Sequence, residues 1–319
     1  MKTTEVGLDL GNRRTKVCIN GLCASIPSQH SFDKPVILRN GQERKVSAFA
    51  LLFRIAKDKD IRLWFGDDTL ASKEIITELD QTKYSKLHIQ RMFQAVLYEW
   101  SRKHNTPLSG LGKLSICVSM PPGSYQKPKL RKAAESAYRK AFNTGQSHIQ
   151  LRDGKESVQI VTQFHSLVRE AVVWGSDIPR RGELVLTIDL GGGTDDVVLF
   201  NGSAEPIDSY SNNNGLIRVY SKINPANPAL AELNILRDKS YTPTALMAYF
   251  SEKKMLVQSS LRTLPERREK KVYIIGGGAE MIARQPEVKK EFTNLLPAKK
   301  LIIKGQYANA EANWKEASK

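Results

Sequence analysis

The sequence predicts two similar α/β lobes, each a mixed sheet flanked by helices. One sign is an internal echo. Val6 to Ile19 reads Val-Gly-Leu-Asp-Leu-Gly-Asn-Arg-Arg-Thr-Lys-Val-Cys-Ile, and Leu186 to Leu199 reads Leu-Thr-Ile-Asp-Leu-Gly-Gly-Gly-Thr-Asp-Asp-Val-Val-Leu. The segments align without a gap, Asp9 matching Asp189 at an offset of 180 residues. Each is an apolar strand, a short glycine-bearing turn and a second apolar strand, the pattern of a hairpin. The other sign is alternation of strand and helix periodicities between and beyond these hairpins, which indicates α/β layers.

Between the hairpins, Leu114 to Met120 is a strand stopped by Pro121-Pro122, because proline donates nothing to a ladder. Lys83 to His104 places Tyr84, Leu87, Phe93, Val96, Leu97 and Trp100 at roughly helical spacing. Lys129 to Phe142 reads as a basic helix, and Ser166 to Trp174 as an apolar one. After the second hairpin, Tyr220 to Asp238 and Pro243 to Leu264 are expected to be mainly helical. Lys271 to Ile275 is a strand that runs into Gly276-Gly277-Gly278, and Pro265 to Lys271 is a charged loop.

The chain has 319 residues, 40% hydrophobic and 26% charged, the balance of a soluble globular protein. Its apolar runs, such as Val168 to Trp174, are too short to cross a bilayer. The start, Met-Lys-Thr-Thr-Glu, enters a strand pattern without a signal-peptide core, so a cytoplasmic protein is expected. Cys18, Cys23 and Cys117 lie among apolar neighbours. With no second ligand pair after the C-x4-C spacing, they read as buried reduced thiols and not as a metal site. The net charge of +16 permits contact with nucleic acid and defines no reaction.

The chemistry concentrates at the turns. A loop that cradles phosphate needs inward N–H groups and room for close approach, which glycine provides. Neither G-x-x-x-x-G-K-[ST] nor a strand–GxGxxG–helix unit occurs. A strand follows Gly193, so Asp189 to Thr194 is a hairpin tip. An aspartate ending an apolar strand wants a cation or many donors. Asp9 and Asp189 are therefore candidates to hold the waters of a bound Mg²⁺, which keeps most of its hydration. Lys16, seven residues after Asp9, is a candidate to meet phosphate as a point charge.

The order Asp-x-Gly hairpin, Asp-x-Gly-Gly-Thr hairpin and late Ile-Ile-Gly-Gly-Gly-Ala-Glu turn resembles the actin, sugar-kinase and chaperone ATPase superfamily. Within it the chain looks most like the ParM-type plasmid-segregation actins and their archaeal relatives. Val118 to Tyr125, Trp64-Phe65-Gly66 and Tyr307 to Trp314 are similar to that family's strand–proline, early turn and C-terminal helix. Ala312 departs from its usual glycine, and Arg13 and Arg14 from its usual small or polar residues. The resemblance implies an actin-like fold with a nucleotide cleft, lobe I being 1–165 plus 300–319 and lobe II 166–299. It implies an ATP ligand, with GTP as an alternative, held with Mg²⁺. The expected contacts are Gly11, Asn12, Arg13, Thr15 and Lys16 at the first tip, and Gly191, Gly192, Gly193 and Thr194 at the second. Asn213-Asn214-Gly215 resembles the second connecting segment, with Asn214 and Gly215 expected to act as a hinge or ribose-side contact, and Gly276, Gly277, Gly278 and Ala279 are expected to form an adenosine turn. Gln163 falls where the family places a catalytic carboxylate or amide. An amide orients water without taking its proton, so slow hydrolysis is expected, with Asp9 and Asp189 as the other catalytic groups.

The resemblance further implies head-to-tail filaments, with a DNA-bound adaptor protein as partner and no membrane. The rivals are a small-molecule kinase, which needs a sugar-binding insertion, and a chaperone-type ATPase, which needs a substrate domain. A third is a basic DNA-binding protein with a regulatory nucleotide site, for which Lys127 to Lys132 and Arg267 to Lys271 are the candidate contacts.

Overall fold

The computed structural model describes residues 2–36, 38–39, 42–43, 47–56, 59–72, 76–77, 85–143, 147–150, 157–170, 183–201, 206–238, 240–264, 270–295 and 301–318. Contacts divide the chain into two units, Met1–Arg169 with Asn313–Lys319, and Glu170–Ala312.

In the first unit, β1 (Thr3–Leu10), β2 (Arg14–Ile19) and β3 (Leu22–Pro27) form an antiparallel meander. Then come β4 (Phe49–Ala56), β5 (Lys59–Phe65), helix α1 (Lys86–His104), β6 (Lys113–Met120), helix α2 (Pro128–Phe142), β7 (Ser147–Gln150) and β8 (Ser157–Arg169). The sheet order is β3-β2-β1-β6-β8-β7-β4-β5, with β1, β6 and β8 parallel. β1 and β6 are buried without a break over Val6–Leu10 and Ile116–Met120, as strands covered on both faces are, whereas β8 alternates, burying Ile160, Thr162 and Phe164 between more exposed residues. Ile89, Met92, Phe93, Val96, Leu97 and Trp100 recur every three or four residues on α1 and are all buried in the core. Burying each is worth about 1.5–3 kcal/mol. Ser85 caps α1 by accepting from the His88 N–H, and Asn105 ends it in a left-handed conformation. Trp100 donates its indole N–H to the Leu22 carbonyl at 2.9 Å, tying α1 to β3.

The second unit holds β9 (Leu184–Leu190), β10 (Asp195–Phe200), β11 (Pro206–Asn212) and helices α3 (Leu216–Ile223), α4 (Pro228–Arg237) and α5 (Thr244–Arg262). After them come β12 (Lys270–Ile275), α6 (Gly276–Arg284), α7 (Pro286–Thr293), β13 (Leu301–Ile303) and α8 (Ala308–Ala317), the last of which runs into the first unit. Its sheet order is β11-β10-β9-β12-β13, with β9, β12 and β13 parallel. The plan of three antiparallel strands followed by two parallel ones repeats that of β3-β2-β1-β6-β8. The echo in the sequence is thus an echo in topology. Among the described residues, no helix is long and apolar enough to cross a membrane.

Three expectations need correction. Ser166 to Arg169 is not helix but the end of β8, which pairs with β6 from Val161 as far as Arg169; the remainder of the expected helix, 171–174, lies outside the described residues. The first division therefore falls four residues later than expected. Leu301–Ile303 pairs with β12, so it belongs to the second unit, and the division expected at 300 falls after Ala312 instead. Finally, Cys18 and Cys23 are not separate thiols. They are direct partners across the β2–β3 hairpin, whose Asn20-Gly21 turn has positive φ at both residues, and their sulfurs are bonded. Cys117 is free and buried.

Candidate functional site

Both tips have the same register. Leu10 pairs with Thr15 and Asp9 with Lys16; Leu190 pairs with Asp195 and Asp189 with Asp196. Four residues therefore make each turn. The first must be glycine for the same reason in both: a Cβ on Gly11 would lie 2.7 Å from the Arg14 carbonyl oxygen, and one on Gly191 2.6 Å from that of Thr194. Real Cβ contacts are never so short, so a side chain at either position would open the turn.

At the first tip, Asp9 is buried and accepts from Lys16 Nζ at 2.8 Å. Ser28 braces the turn from below, its N–H donating to the Arg13 carbonyl at 2.8 Å and its hydroxyl to that of Gly11 at 2.5 Å. Thr15 is fully buried with its hydroxyl against that of Ser28 at 3.0 Å, so it supports the tip from inside and does not face a ligand as expected. Asn12 and Arg13 are half-buried on the turn. Arg14 donates to Asp67 at 2.8 Å and to Ser25, which commits it to the sheet.

At the second tip, all four carbonyls are taken. Thr194 accepts from Gly191 N–H, Gly193 from Gly215, Gly191 from Leu216 and Gly192 from Ile217. The last three donors are the opening of α3. The approach is so close that a Cβ on Gly215 would lie 2.6 Å from the Gly193 carbonyl carbon. With its carbonyls turned into the protein, the tip is left with the N–H groups of Gly192, Gly193 and Thr194, which meet no backbone acceptor among the described residues. This arrangement suits an anion. Asp189 is half-buried and accepts from Asn309 Nδ2 at 3.2 Å.

The glycine triplet works by closeness. Gly276 has φ +92°, and a Cβ there would strike the Asp189 carboxylate; one on Gly278 would strike the Tyr249 hydroxyl. Gly276, Gly278 and Ala279 are buried, so the contacts expected of them are packing contacts that seat α6 against β9. Gly277 alone of the four is half-exposed. Beside the tip, Asn214, Arg218, Lys222, Tyr249 and Glu252 line a cavity of about 40 Å³.

Sequence reasoning missed the support of this tip. Lys253 and Asp195 are both fully buried and joined at 2.5 Å, and Lys253 also donates to the Asn214 carbonyl at 2.9 Å. One ammonium thus fastens the strand after the tip to the segment before α3. Burial raises the Asp195 carboxyl to about 6, against the pull of the Lys253 bond and charge. Lys253 lies 4.7 Å from the Tyr249 ring centroid. Its signal was present: Leu246, Tyr249, Phe250, Lys253 and Val257 keep helical spacing, which puts a lysine on the core face.

The structure does not bring Gln163 to a tip. It is exposed in mid-strand, level with Ser115 and through it with Glu5. That is four residues before Asp9, about 13 Å along a strand. β8 instead ends at Arg169, level with Met120, and the next residue is the half-buried Glu170.

Each tip taken by itself has suitable donors: the Asp9 carboxylate and Lys16 ammonium at the first suit a hydrated divalent cation and a phosphate oxygen, and the Asp189 carboxylate and three N–H groups at the second suit the same two ligands.

No family sequence model and no curated protein matches the chain. Solved structures do. A ParM of a 15-stranded filament from Clostridium botulinum is similar at TM-score 0.71 and 15% identity, over 100% of this chain and 99% of that one. The apo pSK41 ParM protein gives 0.68 and 14%, over 100% and 98%. The archaeal actin homologue Ta0583 in complex with ADP gives 0.64 and 19%, over 99% of each chain. Over its full length, the chain has the fold of the ParM-type actin-like proteins.

Proposed function

We propose that the chain is a magnesium-dependent nucleoside triphosphatase that assembles into nucleotide-dependent filaments in the cytoplasm. The observation that carries the reading is the pair of tips with one register and one glycine requirement, the second stripped of free carbonyls. ATP is the proposed nucleotide and GTP the alternative. Lys16 leaves Asp9 for a phosphate oxygen, the N–H groups of Gly192 to Thr194 bind phosphate, and Asp9 and Asp189 hold the waters of the metal ion. The segment at Asn214 and the half-exposed Gly277 are the proposed contacts of the nucleoside. Bound Mg²⁺ neutralises charge on the phosphates, and the chain's own groups position the attacking water. We assign that task to Glu170, in place of Gln163, because a carboxylate at the end of β8 also accepts a proton. Glu170→Ala then loses most hydrolysis while Gln163→Ala keeps it.

Self-association is supported by the filament states of the structurally similar ParM and Alp12 proteins. A DNA-bound adaptor is the proposed cargo link. Light scattering and electron microscopy of the protein with ATP and Mg²⁺ test the reading: filaments that require nucleotide support it, and flat scattering at high protein concentration contradicts it. A kinase is separated by product analysis with candidate sugars.

A further inference from the structure

The positive charge of the chain is unevenly placed. The first unit carries 30 Lys and Arg against 16 Asp and Glu, the second 19 against 17. Within the first unit the charge gathers on α2. Positions 129, 132, 136, 139, 140 and 143 return to one helix face every three or four residues. Lys129, Lys132, Arg139 and Lys140 are exposed there, and the last three line a shallow depression of about 420 Å³ with Glu135, Ser136 and Asn143. The opposite face, Ala134, Tyr138, Ala141 and Phe142, is buried. Glu135 is already matched by Arg139 at 2.7 Å, which leaves three lysines in excess along about 16 Å of helix.

Arg139 and Lys140 in the last turn suit the helix dipole, but stability does not account for the start of the stripe: the first turn of α2 has no acidic residue and follows Lys127, so cations also sit at the positive end of the dipole. The stripe also carries no aromatic or large aliphatic side chain, which a protein partner needs as an anchor and a single strand needs for base stacking. A row of lysines without such anchors matches regularly spaced phosphates.

We propose that this face of α2 binds the phosphate backbone of duplex DNA without reading its bases. The proposal uses none of the groups at the tips, so it stands or falls apart from the nucleotide reading. Fluorescence anisotropy of a short labelled duplex, titrated with the full chain between about 50 and 200 mM salt, tests it. With three lysines engaged, log affinity falls against log salt with a slope of about −2.7, roughly 0.9 per phosphate. The variant Lys129→Glu/Lys132→Glu/Lys140→Glu is expected to bind at least about tenfold more weakly and to lose most of that slope. Because all three side chains are exposed, ATP hydrolysis of this variant should match the parent, and its melting temperature should not fall below the parent's, since glutamate at the start of α2 suits the helix dipole. Lys→Gln at the same positions, a milder change, should give an intermediate loss. The control Lys289→Glu/Lys290→Glu, on exposed positions of α7, should bind DNA as the parent does. A flat salt response, an equal loss in the control, or tighter binding of single strands or polyglutamate than of duplex would each overturn the proposal.

Discussion

Just behind the first tip stands Thr15, fully buried and bonded to the Ser28 hydroxyl; at the matching place behind the second stands Asp195, equally buried and bonded to Lys253. The backbone of the two turns is alike, and so is their need for glycine. What differs is the foundation. Besides the Asp9–Lys16 pair that spans its strands, the first rests on the neutral hydroxyls of Thr15 and Ser28, the latter just past β3; the second rests on a helix opening and an ion pair reaching in from α5. A neutral pair costs little to desolvate and little to lose, about 1 kcal/mol. A buried ion pair is weak evidence of net stability, yet removing one partner strands the other and costs about 3–5 kcal/mol. One fold has therefore set the same turn on two supports of different brittleness.

The largest break in this comparison is expected from Lys253→Met, with a loss of about 3–5 kcal/mol in denaturant unfolding and loss of nucleotide affinity. The loss should depend on pH. The Asp195 carboxyl is raised from 3.8 to about 6, so its contribution is complete below about 4 and is lost as pH rises through about 6. Without Lys253 the lowering influence is gone and that decline extends to higher pH, so the deficit is larger at pH 8 than at pH 5. The double change Asp195→Leu/Lys253→Met, which leaves no stranded charge, should recover most of the stability.

Gly215→Ala comes next. Its Cβ would meet the Gly193 and Gly192 backbone at 2.6 and 2.8 Å. Overpacking of this kind costs about 1–3 kcal/mol; titration calorimetry should show at least a tenfold loss of nucleotide affinity, because the tip itself must move. Ser28→Ala sharpens the contrast from the other side. It should cost about 1–2 kcal/mol, equally at pH 5 and pH 8, because no charge is involved. Smallest at neutral pH is His30→Gln in the first unit. Burial, then the Arg91 charge, lowers His30 to about 4, so its contribution is full above about 6.5 and is lost as pH falls toward 4. The variant should flatten the acid limb of a melting-temperature profile.

The tips were legible because everything that makes them is local: aspartate, glycine four residues before the returning strand, and apolar residues on either side. The duplication was legible as a repeat at fixed offset. Helical spacing put Lys253 on a core face, but its pairing with Asp195 was not legible, because that partner lies 58 residues away and only the tertiary fold brings them together. Gln163 was misplaced for a related reason. The apolar residues of Ser166 to Arg169 fit a helix as well as a strand, and choosing helix ended β8 too early and moved the strand end back from Glu170. Cys18 and Cys23 were misread because their spacing was tested against metal ligands and not against the two-residue turn between them, which makes them cross-strand neighbours.

The account depends on both tips serving the same nucleotide, and calorimetric titration of ATP with Mg²⁺ into the parent, Asp9→Ala and Asp189→Ala tests this most directly. The account predicts saturable binding by the parent and loss of binding and hydrolysis in each variant, with folding retained by circular dichroism. If either variant binds and cleaves ATP as the parent does, that tip has no part in holding the nucleotide.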